Sequence, residues 1–143
     1  MTKDFTIEES RELKKLYSES EWISEREKVF KEAREWNLAE MYFEEKLYDR
    51  LMKIILKSSV HSLMKYDDVL GKLYPEEVIE MYEKYLNRTA VQTADRKTYQ
   101  EWVSILNRMK KFTGGESAVE RLKNDWQVKY KNRRALMDEL KKA

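Results

Sequence analysis

A chain of 143 residues is long enough for one domain with a core, because folding at that size hides roughly two-thirds of the surface an unfolded chain exposes. Charged residues make up 39% and the mean hydropathy is -0.86, yet 41% of residues are apolar, with nine Tyr, four Trp and seven Met, which excludes the disordered class. Three Gly and one Pro argue against a turn-rich sandwich or barrel, and the lack of cysteine removes disulfides, thiolate metal sites and cysteine nucleophiles together.

Met1 to Glu12 is charged from Lys3 onward, unlike a signal peptide, and no apolar run approaches the roughly 18 to 20 residues of a membrane span. The expectation is a cytoplasmic chain away from the membrane. Thr6 and Glu9 have capping-box spacing before a helix bearing Leu13, Leu16 and Tyr17, and Ser20 precedes a helix bearing Trp22, Ile23, Val29, Phe30 and Ala33. From Asn37 to about Lys57 the pattern reads either as two helices broken near Lys46, with Leu38, Ala39, Tyr42 and Phe43 then Leu47, Leu51, Ile54 and Ile55 inside, or as one long helix. Val60 to Leu73 follows, with Gly71 as a candidate C-cap and Asp67 and Asp68 near a turn. Pro75 opens the clearest helix, because its missing N–H would be unpaired there anyway; Val78, Met81, Tyr82, Tyr85 and Leu86 fall at i, i+3, i+4, i+7 and i+8. The next helix is capped by Asp95, carries Tyr99, Trp102, Val103, Leu106 and Met109, and holds Lys110 and Lys111 in its last turn before a Gly114-Gly115 stop. A further helix from about Glu116 carries Val119, Leu122, Trp126 and Tyr130 inward, and a short one ends the chain on Ala135, Leu136 and Leu140.

These eight or nine helices with short joins force antiparallel neighbours, leaving a closed bundle or a stack of helical hairpins. The run from Ala39 to Leu51, with a small residue, Tyr42 three positions on, a polar step and an aromatic-led second helix, looks like the middle of a tetratricopeptide-type hairpin. The expected fold is therefore all-α, a degenerate TPR/HEAT-like array of antiparallel helix pairs over residues 1–143 as a single helical-repeat domain, with a closed helical bundle as the alternative.

Little in the chain points to chemistry. His61 is the one histidine and has no companion for a ligand set; Ser58 stands where a Glu-x-x-His motif would need its glutamate. The carboxylate doublets, such as Glu44-Glu45, diverge by about 100° on a helix and do not converge on one ion. Gly114-Gly115 lacks the remaining parts of a phosphate loop, and Asn87-Arg88-Thr89 matches a glycosylation acceptor only by chance within a helical run. We expect no enzyme, no cofactor and no metal.

Charge is more telling. Between Arg96 and Arg134 there are eleven Lys/Arg against four Asp/Glu. Arg96, Lys97, Arg121, Lys123, Lys129, Lys131, Arg133 and Arg134 thus form a candidate surface for a nucleic acid or an acidic protein, although a net charge of +2 is small for a nucleic-acid binder. Trp22, Trp102 and Trp126 fall on apolar stripes, whereas Trp36, at a helix join, is the candidate aromatic surface contact.

The stretches Tyr74-Pro75-Glu76-Glu77, Asp95-Arg96-Lys97-x-Tyr99, Lys110-Lys111-x-x-Gly114-Gly115-Glu116 and Tyr130-x-x-Arg133-x-Ala135-Leu136-x-x-Glu139-Leu140 together resemble the C-terminal helical region of bacterial SWIM zinc-finger proteins and related uncharacterised proteins. The resemblance implies a helical array that follows a zinc-binding module, and so a chain that is the C-terminal part of a longer protein. That module's Cys-x-Cys and Cys-x-His ligands are missing, so only architecture carries over. The functional expectation is a monomeric, non-catalytic scaffold whose partner is another protein or another domain of the same protein; a nucleic-acid-associated domain using residues 96–134 is the alternative.

Overall fold

A computed structural model describes residues 5–143; Lys3, where the charge of the N-terminal segment begins, lies outside them. Among the described residues all regular structure is helical: α1 (Ile7–Lys14), α2 (Glu19–Glu32), α3 (Glu35–Glu44), α4 (Tyr48–Leu56), α5 (Val60–Leu73), α6 (Pro75–Ala90), α7 (Arg96–Met109), α8 (Gly115–Lys129) and α9 (Arg134–Leu140). No helix is long and apolar enough to cross a membrane. The chain divides into two compact units, one up to Ser58 and one from Ser59 to Ala143.

Local chemistry sets most helix starts, because the first N–H groups of a helix need acceptors from outside it. Thr6 Oγ1 accepts the Glu9 N–H (3.1 Å), Ser59 Oγ accepts the Ser62 N–H (3.4 Å) and Asp95 Oδ1 accepts the Thr98 N–H (2.9 Å). α2 is capped by Ser18, two residues before the expected Ser20. Glu21 falls three residues after Ser18 and completes a reciprocal box, its carboxylate accepting the Ser18 N–H while Ser18 Oγ accepts the Glu21 N–H. Glu21's carboxyl is held below its ordinary range by the Ser18 hydroxyl and backbone.

In the first unit, α1 ends at Lys14, so Leu16 falls on the connection and is 77% exposed instead of joining an inner stripe. Ile7, Trp22, Val29, Phe30 and Met41 form the core, edged by Leu13, Tyr17, Leu38, Tyr42 and Leu47. Of the two readings of residues 37–57, the broken helix is the one found. Lys46 adopts φ 60°, a left-handed conformation that breaks the helical hydrogen-bond ladder, and Tyr48 opens α4.

The second unit is built on hairpins. α5 and α6 are antiparallel across the Tyr74 joint, and Pro75 starts α6 as its N1 residue. Contacts between helices two apart advance in step: His61 with Glu101 and Asp67 with Arg108 for α5 and α7, Glu83 with Arg121 and Asn87 with Trp126 for α6 and α8. α5 and α7 therefore run the same way, as do α6 and α8. Val78, Tyr82, Leu86, Trp102, Leu106, Val119 and Trp126 are buried. Trp102 and Trp126 meet edge to face with centroids 5.8 Å apart, an arrangement favoured by the ring quadrupoles.

Three glycine and turn expectations need correction. Gly71 is not a C-cap; α5 continues to Leu73, and Gly71 is buried where a Cβ would come within 2.2 Å of the Phe112 ring. Lys110 and Lys111 lie beyond the last turn of α7, and Gly114-Gly115 begins α8 more than it stops α7. Gly114 takes the left-handed cap position (φ 87°), and a Cβ on Gly115 would sit 1.7 Å from the Met109 carbonyl oxygen. Asp67, expected near a turn, lies within α5 and is 1% exposed.

Candidate functional site

Most of the basic side chains between Arg96 and Arg134 are engaged inside their own unit. Arg96 donates to the buried Glu139 (2.8 Å) and reaches Asp138 (3.4 Å). Glu139 also receives Lys142 (3.0 Å), and Lys142 first and Arg96 second hold its carboxyl below the usual range. Arg121 pairs with Glu83 (3.2 Å), Lys123 donates to the Ala143 carbonyl (3.0 Å) and Lys129 pairs with Asp125 (3.1 Å). Arg133 donates to the carbonyls of Ala90 (2.6 Å) and Val91 (3.2 Å), satisfying orphan acceptors at the end of α6, and its guanidinium lies 4.1 Å from the Tyr130 ring centroid. Of the eight, Lys97, Lys131 and Arg134 carry no hydrogen bond or ion pair among the described residues. Trp36, in the other unit, stands in the first turn of α3, 64% exposed, with the Arg34 guanidinium 5.4 Å from its ring centroid.

A polar network escaped sequence reasoning because its members are 15 and 41 residues apart. Asp67 accepts the Tyr82 hydroxyl (2.7 Å) and both Nε and Nη2 of Arg108, the latter at 3.0 Å, while Arg108 Nη2 also donates to the Met64 carbonyl (2.8 Å). Burial first and Asp67 second push the Tyr82 hydroxyl well above its ordinary value, and the Asp67 hydrogen bond raises Arg108. With its buried carboxylate paired to Tyr82 and Arg108, this arrangement fastens α5, α6 and α7. His61, 65% exposed in its side chain, has Glu101 Oε1 at 3.5 Å and the Tyr85 ring at 6.4 Å. Among the described residues no three His, Cys, Asp or Glu side chains gather as metal ligands.

The first unit carries a groove of about 520 Å³ between α1, α2 and the α3–α4 joint. Tyr17, Trp22 and Ile23 supply its apolar wall, and Lys14, Arg26, Lys46, Glu19, Glu44 and Glu45 its charge. Glu45 is the hub: Trp22 Nε1 and Lys14 Nζ (2.8 Å) donate to it, and Arg26 Nη1 stands 3.9 Å away. Arg26 Nε is buried with no acceptor. The sequence marks Lys46 as a helix break, but nothing in linear spacing shows that the break aligns Glu45 with Trp22 from a different helix. The groove is mixed in charge and partly apolar. Compared with family models, curated proteins and solved structures, the chain matches none, so a functional reading rests on this geometry.

Proposed function

We propose that the chain is a non-catalytic scaffold of stacked helical hairpins that binds another protein or another domain of the same protein. The array reading draws support from the second unit, where pairs between alternate helices are separated by 41, 38 and 39 residues, a spacing near one hairpin. The likeness to the helical region of SWIM zinc-finger proteins points the same way. The observation that favours protein over nucleic acid is the engagement of the basic segment: three of the eight candidate cations are paired with acids of their own unit and two more are tied to its carbonyls, leaving three without a partner to displace counterions from a phosphate backbone.

Selection of a random displayed peptide library on the full chain tests this reading; recovery of peptides that bind it in isolation is the expected result, and recovery of none refutes it. The second reading, a nucleic-acid contact, is favoured by Lys97, Lys131 and Arg134. Three such phosphate contacts would give a log–log salt slope of about -3 on duplex DNA. Absence of DNA and RNA binding at low salt removes it.

A further inference from the structure

We propose that the groove of the first unit receives an acidic, aliphatic segment of a partner protein, its carboxylate taken by Arg26 and Lys46 and its apolar side chain by the Tyr17–Trp22–Ile23 wall. The proposal rests on the protein-binding reading and adds the partner's chemistry.

The argument is an accounting of donors and acceptors. Three basic and three acidic residues line the groove, so the formal charge is balanced. The two acids nearest the α3–α4 joint are spent. Glu44 accepts Arg11 Nε at 2.8 and 3.1 Å, and Glu45 accepts Trp22 and Lys14. The donors are less fully used: Arg26 Nε has no acceptor, its Nη1 holds Glu45 only as a loose ion pair at 3.9 Å, beyond hydrogen-bond reach, and the Lys46 side chain has no ion pair or hydrogen bond among the described residues. A buried donor without an acceptor is rare in a folded protein and is satisfied when a ligand or ion supplies one. Arg26 Nε is shielded from solvent, so a carboxylate entering beside Glu45 competes for the Nη1 that Glu45 holds only at 3.9 Å, a charge-assisted contact.

Lys46 is the left-handed residue (φ 60°) that closes α3, with the Leu47 N–H on the Tyr42 carbonyl at 2.9 Å, and its exposed side chain stands in the groove lining. The apolar half of the site is Ile23, 51% exposed on α2, next to Trp22, whose ring lies 6.4 Å from that of Tyr17 at 30°. An exposed isoleucine against an aromatic floor suits a leucine-like side chain. Glu44 and Glu45 are already paired, so a single carboxylate at the joint meets Lys46 and Arg26, whereas a run of phosphates would extend past Glu19 in the same lining; the proposed ligand is therefore a peptide carboxylate.

The test uses the full chain and a fluorescein-labelled peptide with two Glu and two Leu in a Gly/Ser frame, read by anisotropy at low and physiological salt. Matched peptides replace Glu by Lys or Leu by Ser, and a single-stranded oligonucleotide serves as competitor. Binding of the Glu/Leu peptide alone is expected, weakened about tenfold or more by Lys46→Glu and by Ile23→Glu, each at an exposed position that leaves the fold intact. Lys84→Gln, in the second unit, should leave it unchanged. Equal binding of the Lys peptide, indifference to both groove variants, or displacement by the oligonucleotide overturns the proposal. If library selection then yields peptides of other chemistry, the scaffold reading stands while this one falls; if selection yields none, both fall.

Discussion

Replacing Asp67 by alanine is the most informative perturbation of the fold. The carboxylate is 1% exposed and its loss strands two groups: the Tyr82 hydroxyl, on a residue with no exposed surface, and the Arg108 guanidinium. Removing one partner of a buried ion pair costs about 3–5 kcal/mol, but Arg108 keeps 32% side-chain exposure and the Met64 carbonyl, so about 2–3 kcal/mol is the appropriate share. A buried hydroxyl left without an acceptor adds about 1 kcal/mol, for a total near 3–4 kcal/mol. Against a typical stability of about 5–15 kcal/mol this is a large fraction. Urea unfolding followed by circular dichroism should show the midpoint falling by about 1 M or more with little change in slope. The triple variant Asp67→Leu, Tyr82→Phe, Arg108→Met removes all three partners together and should recover most of the loss, to within about 1 kcal/mol of the parent. A single-variant cost below about 1 kcal/mol, or a triple variant no better than the single one, would show that the network does not hold α5, α6 and α7 together.

The same network sets the alkaline limit. Because the folded chain keeps the Tyr82 hydroxyl protonated above its unfolded value of 10.0, its contribution is complete below pH 10 and is lost as pH rises beyond it, at about 1.4 kcal/mol per pH unit. Tyr82→Phe should flatten the stability curve between pH 10 and 11, measured by denaturant midpoints. At the acid end the sign reverses: Glu139 titrates below its ordinary 4.5, so its contribution is present above that value and fades as pH falls through the folded one, and Glu139→Gln should make the acid branch shallower. Among the glycines, Gly115→Ala should cost more than about 3 kcal/mol because the new methyl meets rigid backbone at 1.7 Å, and Gly71→Ala less because it meets a side chain, the Phe112 ring, and not backbone. Thermal melts of the two variants check the order; a Gly71 variant the less stable of the pair would contradict it.

What sequence could show was governed by distance along the chain. Helix starts were readable at Thr6, Pro75 and Asp95 because cap and first turn lie within four residues of each other. The same logic failed at Ser18, where two serines stand close together and only the Glu21 side chain, three residues on, decides between them. The buried stripes of α6, α7 and α8 followed from period alone, but Ile79 and Ile105 were missed, since a helix packed on two sides buries more than one stripe. Gly71 was misread for a different reason. A glycine near a helix end is a cap when the backbone turns left-handed, and a window when another chain segment needs room; Phe112 makes it the second, and Phe112 is too remote in sequence to be weighed.

The basic segment shows how far such distance effects reach into function. Counting eleven cations against four acids from Arg96 to Arg134 treats charge as local, but the acids that matter lie outside the window: Asp67 for Arg108, Glu83 for Arg121, Asp138 and Glu139 for Arg96. Hairpin stacking brings each of these from a neighbouring helix pair, so part of the linear surplus is paired, while Lys97, Lys131 and Arg134 keep no ion pair among the described residues. The reverse holds in the first unit, where Lys46 and Arg26 sit in a lining with equal numbers of acids and bases, and linear counting finds no surplus there. Yet its acids near the α3–α4 joint are consumed by Arg11, Lys14 and Trp22, and of the remaining donors the Lys46 side chain has no partner among the described residues and Arg26 holds only a loose 3.9 Å pair with Glu45. Binding capacity follows unsatisfied donors and acceptors together with the surface beside them, and what separates the groove from the basic segment is that its open donors stand next to the apolar wall of Tyr17, Trp22 and Ile23.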